Sequence, residues 1–182
     1  MTLIFWLQFV AVCLVGAMSP GPSLALIIRN SVKFNRTAGI LSAIGHGLGI
    51  GVYASLAILG LHVVLSNSLF IFKSIQFVGS FFLLLLGILF ILDKSNELKI
   101  EEQQKSINSF IQGFAIAIFN PKILIWFAAI YSQFIILDSS ILTNTILVLT
   151  ATLIDSIWYI IVAFVVTGYG FKEFFQKRKI II

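Results

Sequence analysis

The sequence predicts an all-α fold: a polytopic membrane helix bundle of five transmembrane helices, one domain spanning residues 1–182. Three observations predict it. First, 59% of the 182 residues are apolar and only 10% are charged, whereas a soluble domain is about 45–50% apolar and about 25% charged. Second, the apolar residues gather into five runs, at about 3–28, 39–65, 69–92, 109–137 and 141–167. Each is long enough to cross a hydrocarbon core about 30 Å thick with some tilt, at about 1.5 Å of rise per residue. Third, of the 19 formally charged residues only Lys73, Lys122 and Asp155 fall inside these runs. A chain so short of polar surface is neither disordered nor a soluble enzyme. Helices are the physical solution, because in lipid each satisfies its own backbone polar groups.

The first run, Leu3–Ile28, has no Lys or Arg before it and outlasts a typical leader h-region, so it reads as a span. It contains Ser19-Pro20-Gly21-Pro22. Proline removes a backbone donor and clashes with the preceding turn. The run should therefore form two half-helices, with Ser19 capping the second and a proline at its first position. Irregular backbone at this depth is tolerated only in protein or beside a wet cavity.

The second run, Gly39–Leu65, carries two GxxxG pairs, Gly45/Gly49 and Gly47/Gly51, which permit close helix approach. They do not form a phosphate loop, since no strand precedes them. His46 lies among them and is either a packed histidine or a proton relay. The third run, Leu69–Leu92, holds Lys73 near its outer edge, where the side chain can snorkel.

The loop 93–108 is the long polar stretch of the chain. The fourth run, Ser109–Leu137, repeats the grammar of the first at Asn120-Pro121-Lys122: a capping side chain, a proline at the first helical position, then a cation. Lys122 lies about 20 Å from the start of its run, a costly place for a charge. The fifth run, Ile141–Thr167, holds Asp155 about 18 Å from its far end. These two charges are opposite in sign and matched in depth. Either they pair, or they flank a common polar cavity. The plainer readings are a structural ion pair and prolines that only kink helices for packing. The tail 168–182 alternates Phe171, Phe174 and Phe175 with basic residues, a pattern that suits a membrane surface or a disordered end.

Lys and Arg number 0, 3, 0, 3, 0 and 4 in successive connections, from Arg29, Lys33 and Arg36 in the first loop to the basic tail. By the positive-inside rule this places the N-terminus out and the C-terminus in. It also explains the net charge of +5 without any nucleic-acid partner. Cys13 is the one cysteine, so neither an intramolecular disulfide nor a dithiol redox pair can form. No metal-ligand cluster, nucleophile elbow or hydrolytic carboxylate pair appears, and no cofactor is expected. The halves echo one another. Each opens with a proline-interrupted run in opposite orientation, the pattern of an inverted repeat with three helices in the first half and two in the second.

These motifs resemble the LysE/RhtB family of bacterial amino-acid exporters. The likeness runs from about Leu3 to Thr167. It rests on Gly16-x-x-Ser19-Pro20-Gly21-Pro22, on Gln112-Gly113-Phe114 leading to Asn120-Pro121-Lys122 and Gln133-Phe134, and on Asp155 followed by Trp158-Tyr159. The resemblance implies a multi-pass inner-membrane protein that exports amino acids or close analogues, driven by protons. Members usually continue into a sixth hydrophobic helix, whereas this sequence stops at Ile180-Ile181-Ile182. The alternatives are a working five-helix transporter, completion as a homo-oligomer, and a truncated, inactive or scaffold-like remnant; an ion permease would need more ligands at depth. The expected partners are the lipid bilayer, an amino acid and protons. The expected substrate-binding residues are Ser19, Pro20, Gly21, Pro22, Asn120, Pro121, Lys122 and Asp155, with Asp155 and His46 on the proton pathway.

Overall fold

The computed structural model describes residues 1–67, 109–134 and 140–168, with positions 70, 73, 74, 77 and 81 besides. The expected span Leu69–Leu92, the loop 93–108 and the tail beyond Gly168 lie outside the described residues. The described residues are helical throughout, with no strand among them. The helices are α1 (Leu3–Met18), α2 (Pro22–Lys33), α3 (Arg36–Asn67), α4 (Ser109–Ile118), α5 (Pro121–Phe134) and α6 (Ile141–Val166).

Local chemistry sets the ends. Thr2 and Ser140 cap α1 and α6 through their hydroxyls, which accept from the backbone N–H groups of Phe5 and Thr143. Asn35 does the same for α3, its Oδ1 accepting from the Ala38 N–H at 2.9 Å. Among the described residues two helices are long and apolar enough to cross a membrane, α3 over Arg36–Gly60 and α6 over Ile141–Val166. The pair α1–α2 makes a third candidate, bent by 63° at its break.

The first connection is shorter than hydropathy suggests. α2 continues to Lys33 and α3 begins at Arg36, so the residues from Arg29 onward belong to helix rather than loop. Arg29, Asn30 and Ser31 are buried. Hydropathy marks where lipid would lie, and this last polar turn and a half packs against protein instead.

α3 is the central strut, packing along α4 and α6 and touching α2 and α5. Its glycine pairs divide between two partners. A Cβ on Gly45 would strike the Phe110 carbonyl of α4, and one on Gly49 would strike Ala117. Gly47 and Gly51 lie against Ser156 and Thr152 of α6. Adjacent pairs on one helix thus seat two neighbours at backbone distance. The apolar core has two parts. One joins Phe9, Ile50, Ala54, Phe127, Ile130 and Leu147. The other is smaller: Ile27, Ala43, Tyr159 and Ala163. The site lies between them.

Candidate functional site: a polar cavity between two broken helices

Each break leaves backbone groups without helical partners, and each is satisfied differently. At the first, Ser19 terminates α1 instead of capping α2. Its N–H donates to Val15 O and Gly16 O, and its hydroxyl donates to Gly16 O at 2.8 Å. Pro20 and Gly21 separate Ser19 from the start of α2, and its hydroxyl bonds back into α1 instead. Gly21 occupies the N-cap with no side-chain bond, and Pro22 takes the first helical position as expected. At the second break the expected grammar holds. Asn120 Oδ1 accepts from the Lys122 N–H at 3.0 Å, and α5 begins at Pro121. The Ile118 carbonyl, freed by the break, accepts the Tyr53 hydroxyl of α3.

Lys122 joins the two breaks. Its Nζ donates to Ser19 Oγ at 2.7 Å, Pro20 O at 3.0 Å and Ser19 O at 3.4 Å. These oxygens sit at the carbonyl end of α1, where a cation is favoured by the helix dipole.

Asp155 pairs not with Lys122 but with His46, whose Nδ1 lies 2.6 Å from Oδ2. Both side chains are buried, at 2% and 8% exposure. His46 Nε2 lies 2.8 Å from Ser23 Oγ, and Asn120 Nδ2 donates to the same hydroxyl at 3.4 Å. With a neutral imidazole and an ionised carboxylate the valences allow one consistent chain. The Asn120 amide donates to Ser23, the Ser23 hydroxyl to Nε2, and Nδ1–H to the Asp155 carboxylate. The Tyr159 ring stands edge-on to His46 at 4.9 Å and fixes its plane.

Lys122 and Asp155 therefore realise the second expectation, a shared cavity. It offers about 60 Å³ to the centres of water-sized molecules, and Ser19, Gly21, Ser23, His46, Asn120 and Asp155 line it together with Lys122. A single water needs about 10–15 Å³ by this measure, so the space suits a small solute. Trp126, Ile50 and Ala151 contribute apolar wall. Of the expected residues, Pro20, Pro22 and Pro121 shape backbone and are not among its lining. Ser23 was missed by sequence reasoning. A serine one position into a half-helix is an available signal, but its partner is 23 residues away on another element.

A helical bundle with two interrupted helices around a buried, charge-bearing cavity has the build of a membrane transporter. The comparison with known proteins narrows this: the chain belongs to the LysE type translocator family, whose model matches residues 14–181. Proteins of this family are membrane translocators. The chain is 26% identical over 190 residues to the uncharacterized membrane protein YrhP of Bacillus subtilis (strain 168), covering 94% of this chain and 90% of that protein. It is 27% identical over 139 residues to the threonine efflux protein of Escherichia coli (strain K12), covering 73% of this chain and 68% of that one. The Salmonella typhi threonine efflux protein is 28% identical over 128 residues, covering 67% of this chain and 62% of the relative. No solved structure matches.

Proposed function

We propose that this protein exports a small amino acid, threonine or a close analogue, across the bacterial inner membrane in exchange for protons. The observation that carries the reading is the buried His46–Asp155 pair in a cavity bounded by both helix breaks. A zwitterion needs an acceptor for its ammonium and donors for its carboxylate. Asp155 is the acceptor. The half-helix starts at Gly21–Ser23 and Asn120–Lys122 supply N–H groups and partial positive charge. Lys122 adds Nζ–H donors, turning from Ser19 and Pro20 toward the carboxylate.

Proton coupling follows from competition. An unprotonated Asp155–His46 pair attracts an ammonium, and a protonated pair does not. Substrate and proton then occupy the site alternately, which is the requirement for exchange. When His46 gains a proton, Nε2 becomes a donor to Ser23, whose own hydroxyl must turn away from the ring. The charge state of the pair thus reaches the first turn of α2. Family membership and the named relatives support the amino acid as cargo. The distribution of Lys and Arg supports an N-terminus outside and a C-terminus inside, and the two breaks support an inverted arrangement of three helices and two.

The test is efflux from cells fed threonine-containing dipeptides. Expression should speed threonine release over an empty-vector control, and collapse of the pH gradient should slow it. Release that is unchanged by expression of membrane-inserted protein would sink the reading; release indifferent to the gradient would remove proton coupling.

A further inference from the structure

The cavity is polar at one end and apolar at the other. On four helices the change takes a single turn: Ser19 to Gly16 at the end of α1, His46 to Ile50 on α3, Lys122 to Trp126 on α5, and Asp155 to Ala151 on α6, all of them lining residues. Steps of three or four residues keep to one helix face. The second members of these pairs converge, since Ile50 and Ala151 share one buried apolar cluster and Trp126 packs against it. The charge-bearing side chains of the lining, His46, Lys122 and Asp155, all stand at the polar end.

Trp126 closes the apolar end against α1. A Cβ built on Gly16 would lie 2.6 Å from the indole Nε1, 2.8 Å from Cε2 and 3.0 Å from Cζ2. The ring therefore rests on bare backbone, closer than a side chain at position 16 permits. It spans from α5 to α1, two helices that otherwise make little backbone contact. The space it leaves holds about 60 Å³ for the centres of water-sized molecules, or roughly four to six waters. A zwitterion whose head group is held at Asp155 and the helix starts must lay its side chain in this end, in front of the indole.

The structure assigns Trp126, seated on Gly16, as the residue that limits the substrate to an amino acid with a compact, uncharged side chain. The assignment rests on the export reading for the head group and adds what the side chain must be. A long or aromatic side chain meets the indole. A charged one finds no counter-charge at the apolar end. Threonine fits by size. Valine, its isostere, fits as well, because an apolar wall discriminates only weakly between groups of equal shape. Alanine at position 16 would drive the indole into the cavity, since a rigid ring yields only as a whole and the open space beside it is the cavity.

The test reads binding and flux separately. Purified protein in detergent reports binding through the rise in Tm that a ligand produces, and the same protein in proteoliposomes reports flux. Threonine and valine should stabilise the parent, and phenylalanine should not. Trp126→Ala should lower the phenylalanine concentration needed for a given rise, relative to threonine, by about tenfold or more. Gly16→Ala should weaken threonine binding about tenfold. Combining Gly16→Ala with Trp126→Ala should recover it, which a merely misfolded Gly16→Ala protein could not do. A Trp126→Ala protein with the parental preference for threonine over phenylalanine overturns the assignment. So does a Gly16→Ala protein that binds threonine like the parent, a loss that the double variant does not recover, or a parent that no amino acid stabilises. The expected change of preference in a protein that carries no flux upholds the assignment and removes the export reading.

Discussion

The two helix breaks share a sequence grammar but not a means of support. The second supplies its own cap: Asn120 caps α5 with its side chain, and the one tertiary bond it takes is the Tyr53 hydroxyl of α3 on the carbonyl left behind. The first has no side-chain cap at Gly21, and its orphaned carbonyls depend on an ammonium carried by the other half of the chain. A cap within two residues forms wherever its helix forms. A bond from Lys122 to Pro20 exists only when the halves are docked, at 102 residues of separation. The first break is therefore the one whose geometry can respond to how the halves sit. In a transporter that works by rocking, such a joint is useful.

The largest effect is expected from a change that leaves both breaks intact. Asp155→Asn removes the carboxylate between them; gradient-driven threonine release should fall to the empty-vector level while the protein still inserts. Gradient-driven release at the normal rate would take Asp155 out of the mechanism. Lys122→Met keeps the length of the side chain but not its donors, and so tests the dependent break. Bonds to a charged group are worth about 1.5–3 kcal/mol each. With Nζ partly open to the cavity, we expect destabilisation of about 2 kcal/mol, seen as a lower Tm in detergent. Protection of a cysteine placed at Gly21 should fall with it. A Tm equal to that of the parent would show that the bridge holds nothing together.

Asn120→Ala challenges the break that supplies its own cap. Loss of a cap typically costs about 1 kcal/mol, so its effect on Tm should be smaller than that of Lys122→Met. Because Asn120 also donates to Ser23, it should depress efflux as well. The reverse ranking of Tm values would invert the comparison between the breaks. The smallest effect belongs to Tyr53→Phe, which strips the one hydroxyl from the Ile118 carbonyl. About 1 kcal/mol of stability should go, and efflux should hold.

The long apolar helices α3 and α6 and the two helix breaks were legible because each depends on short-range chemistry. Apolar runs mark spans by length alone. Pro22 and Pro121 mark helix starts because proline lacks an N–H in any surroundings. Elsewhere the deciding contact was between elements. Ser19 reads as a cap for the second half-helix, yet its hydroxyl closes the first. Arg29 and Asn30 read as loop, yet they extend α2 along α3. The glycines of α3 announce close approach without saying to which neighbour, and alternate residues turned out to serve α4 and α6.

The matched depth of Lys122 and Asp155 follows from residue counts, and it led rightly to a shared cavity. Depth is one coordinate only. Rotation about each helix axis decides which side chains face each other, and packing sets it. His46 therefore reached Asp155, 109 residues away, while Lys122 turned to the carbonyls of Ser19 and Pro20. Membrane residence, the broken spans and the candidate charges were local properties of the chain, forced by the cost of unpaired backbone and charge in lipid. The pairing of those charges, the role of Ser23 and the buried Asn30 amide came from the docking of helices, because hydrogen bonds of about 3 Å depend on positions that no sequence period specifies.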